Sequence, residues 1–170
     1  MLKINLFLIL TCSVFVSQVQ AQNIIEHIPS NTPNSRYEVH ENGTVTDTAT
    51  GLMWQRCTLG RDWDGNNCIG SDIAYNWQYA LQAASDSALA GYDDWRLPNI
   101  KELRTLVSMD RSQPTINEEI FPATRSSSHY WSSSPSSSTS SSLCVGFTWG
   151  YDSSTSRTNK NYVRLVRGAQ

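Results

Sequence analysis

Residues 91–107 read Gly91-Tyr-Asp-Asp-Trp-Arg-Leu-Pro-Asn-Ile-Lys-Glu-Leu-Arg-Thr-Leu-Val107, and this stretch decides how the chain is organised. Trp95 and Leu97 alternate with Arg96, the pattern of a short half-buried strand. Pro98 ends that strand, because its ring fixes φ and supplies no ladder N–H. Asn99 is a good helix N-cap, and Glu102, three residues on, is placed to return a bond to the Asn99 N–H. Ile100, Leu103, Leu106 and Val107 then share one face at helical spacing. A strand therefore turns through a proline corner into a capped amphipathic helix, and both deliver large apolar groups to one core.

On the N-terminal side, Ser71 or Asp72 is placed to cap a helix whose stripe is Ile73, Trp77, Ala80, Leu81, Ala84 and Ala88, ending near Gly91. Tyr37 to Asp47 reads as a hairpin about Asn42-Gly43. Thr48 to Gly51 reads as a second turn and Leu52 to Arg56 as the next strand. On the C-terminal side, Ser108 to Arg125 is irregular, broken by Pro114 and Pro122, with Ile116, Ile120 and Phe121 as core plugs. Tyr130-Trp131 starts a strand that runs into low complexity: 12 of the 17 residues from Ser126 to Ser142 are serine, so Ser132 to Ser142 is expected as a mobile, exposed connection. Leu143, Val145, Phe147, Trp149 and Tyr151 alternate with small or polar residues, as in one continuous strand. Asp152 to Asn161 reads as a polar loop and Tyr162 to Arg167 as the last strand. Two early helices followed by a run of strands indicate an α+β fold.

Residues 1–21 have the composition of a secretory signal peptide: Lys3, an apolar run from Ile4 to Val16, and Val19-Gln20-Ala21 as the cleavage site. The apolar run is shorter than the ~20 residues a membrane anchor needs. Cys12 lacks a lipobox context, since Thr11 precedes it and the run continues beyond it. Export is expected, to the cell surface, periplasm or medium. Residues 22–36, with Pro29 and Pro33, read as a linker or docked arm, and residues 37–168 as one domain. The exported chain carries 12 basic against 15 acidic residues, without the basic stripe of a nucleic-acid binder, and has no transmembrane segment. Cys57 and Cys68 flank a turn-rich loop, and export favours a disulfide between them. Cys144 is left over, either buried on a strand or pairing between chains.

Four segments, in order, resemble a known pattern. Thr44-Val-Thr-Asp-Thr-Ala-Thr-Gly-Leu-Met-Trp-Gln-Arg56, Gly91 to Leu103, Tyr130-Trp-Ser-Ser-Ser134 and Tyr162-Val-Arg-Leu-Val-Arg-Gly168 are similar to the motifs of the bacterial DUF1566 domain. The C-terminal domain of the Legionella collagen-like adhesin belongs to that family. The Gly-x-x repeats of that adhesin are absent here. The resemblance implies a C-type-lectin-like fold: two helices packed on antiparallel sheets with long loops, and first and last strands side by side. Tyr37 to Val39 and Val163 to Val166 would be those strands. It also implies that Trp54, Trp77, Trp95 and Trp131 are packing residues. Formylglycine-generating enzymes, distantly similar, bind copper through a late pair of cysteines. Only Cys144 stands there in this sequence, against that oxidase chemistry.

A search for catalytic chemistry finds little. His27, His40 and His129 are not at ligand spacing, and the serines lack a Gly-x-Ser-x-Gly context. Asp62, Asp64 and Asn66 alternate around Gly65 like the start of a calcium loop, but the distal Glu is missing, so calcium stands beside a plain Asp/Asn/Gly turn. The lectin motifs Glu-Pro-Asn and Trp-Asn-Asp are missing too. Arg96, Lys101, Arg104, Arg111 and Arg125 form a loose basic cluster that either holds a polyanion or lies as a solvated face. Arg164 or Arg167 is expected to pair with a buried acid, Asp47 or Asp94.

The sequence thus reads as a non-catalytic, adhesin-like binding module for a glycan or another extracellular ligand such as a cell-surface protein. The alternatives are a degenerate modifying enzyme or a structural envelope component. The ligand is expected at loops within 109–142 and 152–161, where constraint is least, with His129, Tyr130, Trp149, Tyr151, Asp152 and Arg157 as contacts.

Overall fold

The computed structural model describes residues 22–168; the leader expected at 1–21 lies outside the described residues. Among the described residues, six strands, two short helices and five further strands follow one another in an α+β arrangement. In chain order they are β1 (Asn23–Ile24), β2 (Tyr37–Val39), β3 (Thr44–Asp47), β4 (Leu52–Gln55), β5 (Arg61–Trp63), β6 (Cys68–Gly70), α1 (Trp77–Ser85), α2 (Ile100–Arg104), β7 (Arg111–Ser112), β8 (His129–Pro135), β9 (Ser141–Gly146), β10 (Tyr151–Ser156) and β11 (Val166–Arg167). Two main antiparallel sheets form, β11-β4-β3-β2 and β10-β9-β8, with β1 on β7 and β5 on β6 as two-stranded ribbons.

The 91–107 unit folds as its residues dictate. Arg96 exchanges both backbone bonds with Val166, at 3.0 and 3.1 Å. The Asn99 side chain accepts from the Glu102 N–H and the Glu102 carboxylate accepts from the Asn99 N–H, closing the capping box at the start of α2. Trp95 and Leu97 are buried on one side of the corner, and Leu103 and Leu106 on the other. The Trp95 indole N–H is satisfied by the Leu89 carbonyl at 2.9 Å, as a buried donor must be.

Alternation along β8 splits the core in two. Tyr130 and Val145 face α2 with Leu103, Leu106, Ile116, Ile120, Phe121, Phe147 and Trp54. Trp131 and Cys144 face α1 with Ala80, Ala84, Trp95, Leu97, Val163 and Leu165. The β8–β9 pair is therefore covered on both faces, as a central layer. The hairpin β2–β3 turns at Gly43, whose φ of +78° glycine tolerates. A Cβ there would lie 2.6 Å from the Trp63 Cβ. Cys57 and Cys68 form the expected disulfide, with Cα atoms 5.6 Å apart.

Five expectations need correction. The serine tract is mostly sheet: Ser132 to Pro135 extend β8, Ser141 and Ser142 open β9, and only 136–140 form the connection. Ser132 and Ser142 are fully buried, because their hydroxyls find partners in the Leu143 carbonyl and the Arg157 guanidinium. The strand expected over 143–151 ends at Gly146, where the Gly150 N–H returns to the Gly146 carbonyl at 2.9 Å. The polar loop expected over 152–161 is largely β10. The first helix starts at Asn76, whose side chain accepts from the Tyr79 N–H, because Asp72 is engaged by Arg61 and Arg125. Lastly, β2 and β11 lie at opposite edges of their sheet, since the tight turn at 48–51 folds β4 in against β3, where β11 pairs with it.

The 22–36 segment is a docked arm. Gln22 Nε2 donates to the carbonyls of Pro114 and Ile116, each at 2.6 Å, and the Asn31 side chain bonds Val107 and Met109.

Candidate functional site

Four of the six expected contact residues gather at one end of the three-stranded sheet. The register places His129 and Tyr151 on either side of Gly146, and their ring centroids approach to 6.5 Å edge to face. Gly146 leaves room for this: a Cβ there would lie 3.3 Å from the His129 ring. Between β9 and β10 the turn 147–150 is clamped from behind. The Thr115 N–H and hydroxyl both donate to the Phe147 carbonyl, at 2.6 and 2.8 Å. A Cβ on Gly150, at φ +72°, would lie only 2.6 Å from Val107 Cγ1. Phe147 is buried while Trp149, two residues on, stands 64% exposed and Tyr151 51% exposed. Beside them Asp152 pairs with Arg104 of α2 at 3.0 Å.

The other two do not join them. Tyr130 is a core residue: its ring meets Phe147 at 5.2 Å, its hydroxyl bonds Thr58 at 2.7 Å and accepts the Arg125 N–H at 2.9 Å. Alternation puts it on the α2 face of β8, which is covered. Burial also raises its phenol above the ordinary tyrosine range. Arg157 lies just beyond the far end of β10, its guanidinium 4.1 Å over the Trp77 ring and its Nε bonded to Ser142 Oγ. It borders a small depression of about 270 Å³ with Asn76, Gln78 and Thr158.

The remaining chemistry is mostly self-satisfied. Asp64 Oδ1 accepts from the N–H groups of Asn66 and Asn67 at 2.8 and 2.7 Å, closing the turn between β5 and β6. These bonds hold the Asp64 carboxyl below the usual range. Among the described residues no three His, Cys, Asp or Glu side chains are grouped as metal ligands. In the basic cluster every arginine has an acid: Arg96 with Glu102, Arg104 with Asp152, Arg111 with Asp110 and Arg125 with Asp72. A polyanion therefore meets a neutralised surface, with Lys101 alone unpaired in that set. Arg167 pairs with Asp94 at 2.5 Å, but that acid is half exposed and not buried as expected, because the buried Asp47 takes Arg36. Arg164 is fully buried without an acid, bonded to the Gln55 and Arg56 carbonyls and lying 4.9 Å from the Phe121 ring centre. Burial pushes the Cys144 thiol up to about 11, so it is a protonated core group and not a nucleophile at neutral pH.

A cleft of about 440 Å³ lies where α1 meets the 91–107 unit, lined by Leu81, Ser85, Arg96, Asn99, Glu102 and Ser133. Its ionic groups are already paired, Arg96 gripping Glu102 with both terminal nitrogens at 2.8 Å. Sequence reasoning missed Arg104 as the partner of Asp152 and Tyr79 as an exposed ring on α1. Tyr79 lies off the apolar stripe of its helix, which is the local signal for its exposure, whereas nothing local marks Arg104, because its pairing depends on where α2 is docked.

No curated protein sequence matches this chain. The family described as the Lcl C-terminal domain matches residues 43–167, a span running from the β2–β3 turn to the end of β11 and including the 91–107 unit. By that match over most of its length, the chain belongs to the Lcl C-terminal domain family.

Proposed function

We propose that this is an exported, non-catalytic binding module of adhesin type with a C-type-lectin-like fold. It engages an extracellular glycan through the Trp149, Tyr151 and His129 end of the β8–β10 sheet. The observation that carries this reading is the exposure of Trp149 on a turn fastened at both ends. An indole held out of the core by a rigid hairpin keeps its apolar face in water at a cost that ligand contact would relieve. The Thr115 bonds to the Phe147 carbonyl fasten the backbone of the turn before binding, which favours affinity. Family membership and the Cys57–Cys68 disulfide support an extracellular or periplasmic setting. Two helices on antiparallel sheets support the lectin-like fold, with the departure that β11 pairs with β4 and not with β2.

A glycan and cell-surface protein array, probed with the exported domain with and without calcium, tests this reading. Saturable binding that falls about ten-fold or more in Trp149→Ala, with an unchanged melting curve, is the expected result. Binding that persists undiminished in Trp149→Ala overturns the assignment of the surface, and turnover of a bound ligand overturns the non-catalytic reading.

A further inference from the structure

We infer that the outer face of α1 carries a second ligand groove, separate from the Trp149 surface and suited to an uncharged saccharide. The groove holds about 410 Å³ and is bordered by Tyr75, Asn76, Tyr79, Gln82, Asp86 and Lys160. Tyr79 is 66% exposed in the first turn of α1, at a position where a helix needs nothing of its ring. The surrounding frame is fixed: Asn76 caps the helix, and Tyr75 exchanges both backbone bonds with Asn161 at 2.9 Å.

The polar lining decides the ligand class. Gln82 Nε2 is oriented by a 2.8 Å bond to Asp86 Oδ1, which leaves the amide oxygen and the second carboxylate oxygen to accept. Lys160 lines the same groove without pairing to Asp86. The contrast with the rest of the surface is plain, because seven arginines among the described residues are held by carboxylates. One acid and one base lining a shared groove cancel, so the groove has no net charge with which to select an anionic or a cationic ligand. A polyol instead satisfies both through charge-assisted hydrogen bonds while a pyranose face covers the Tyr79 ring. Donors, acceptors and an aromatic platform converging on one concave patch are the features of a small-ligand site.

The test is a titration of the exported protein with neutral hexasaccharides (cellohexaose, chitohexaose and mannohexaose) and with a heparin hexasaccharide, read by amide NMR shifts and calorimetry. At least one neutral probe is expected to move the amides of Asn76, Tyr79, Gln82, Asp86 and Lys160. Tyr79→Ala weakens that binding about ten-fold at an unchanged melting temperature, Tyr79→Phe retains it, and Trp149→Ala leaves it untouched. No neutral probe shifting those amides overturns the inference, as does stronger binding of the heparin fragment there or indifference to Tyr79→Ala. Shifts confined to Trp149 and Tyr151 overturn it while sparing the surface proposed above.

Discussion

Ser134 Oγ accepts a hydrogen bond from the Ile100 backbone N–H at 2.9 Å, so the serine-rich strand supplies a second cap to α2. The first N–H groups of a helix have no partner within it, and here one is served from 34 residues away in the chain. The neighbouring Ser133 N–H donates to the Pro98 carbonyl at 2.8 Å. A tract that looks like a spacer thus fastens the proline corner. Ser134→Ala is expected to cost about 1 kcal/mol, seen as a lowered denaturation midpoint with an unchanged m-value.

Shortening the tract separates its two roles. Removing residues within 136–140 and rejoining β8 to β9 by a tight turn should leave stability nearly unchanged, since loop length enters only logarithmically. Deleting Ser133 to Ser141 removes the Pro98 and Ile100 bonds and the Pro135–Ser142 pairing, and should abolish cooperative unfolding. Circular dichroism melts of the two deletions settle the point; equal melts would contradict it.

Trp95→Ala should unfold the domain. The ring is 3% exposed between α1 and β8, and loss of such a ring costs about 3–5 kcal/mol, a large share of ordinary domain stability. Urea titration gives the value. A folded variant with a wild-type midpoint would mean that the 91–107 unit is not what the second core is built on.

Asp72 gives the protein a sensitivity to acid. Its carboxylate is fully buried and shared by Arg61 at 2.6 Å and Arg125 at 2.7 Å. Burial alone would raise its pKa, but the two guanidinium bonds outweigh it and hold the carboxyl below the usual range. A folded pKa below the unfolded one, about 3.9, means a stabilisation fully present above that value and lost as pH falls through the folded pKa. Asp47 and Glu102 are lowered in the same way, by Arg36 and Arg96 against the effect of burial. Stability should therefore be flat near neutral pH and fall steeply below about pH 4, with a shallower fall in Asp72→Asn. A wild-type slope in that variant would show that Asp72 contributes nothing to it.

Reduction of the Cys57–Cys68 bridge should cost about 2–3 kcal/mol in the chain-entropy model for so short a loop, without exposing Cys144. In the folded, reduced protein, iodoacetamide should reach Cys68 first, while Cys57, 2% exposed, and Cys144, fully buried with its thiol donating to the Ser153 carbonyl, react only after unfolding. Labelling counted by mass spectrometry checks this.

What the sequence by itself determined is what neighbouring residues settle between themselves. Asn99 and Glu102 are three positions apart and close a capping box wherever the helix lies. Asn42-Gly43 folds a hairpin because its φ is permissive, and Cys57 and Cys68 flank a loop short enough to close. Tertiary structure alone decided the rest, because burial and strand pairing depend on groups distant in the chain. Tyr130 and Trp149 are both aromatic groups in strand-like sequence. One is covered because its face of β8 meets α2, and the other is exposed because Thr115 and Val107 grip the turn beneath it. The serine tract carries no apolar pattern, so nothing in its own residues calls for a strand. It becomes one because Leu143, Pro98, Ile100 and Arg157 offer its backbone and hydroxyls the bonds that water would otherwise make.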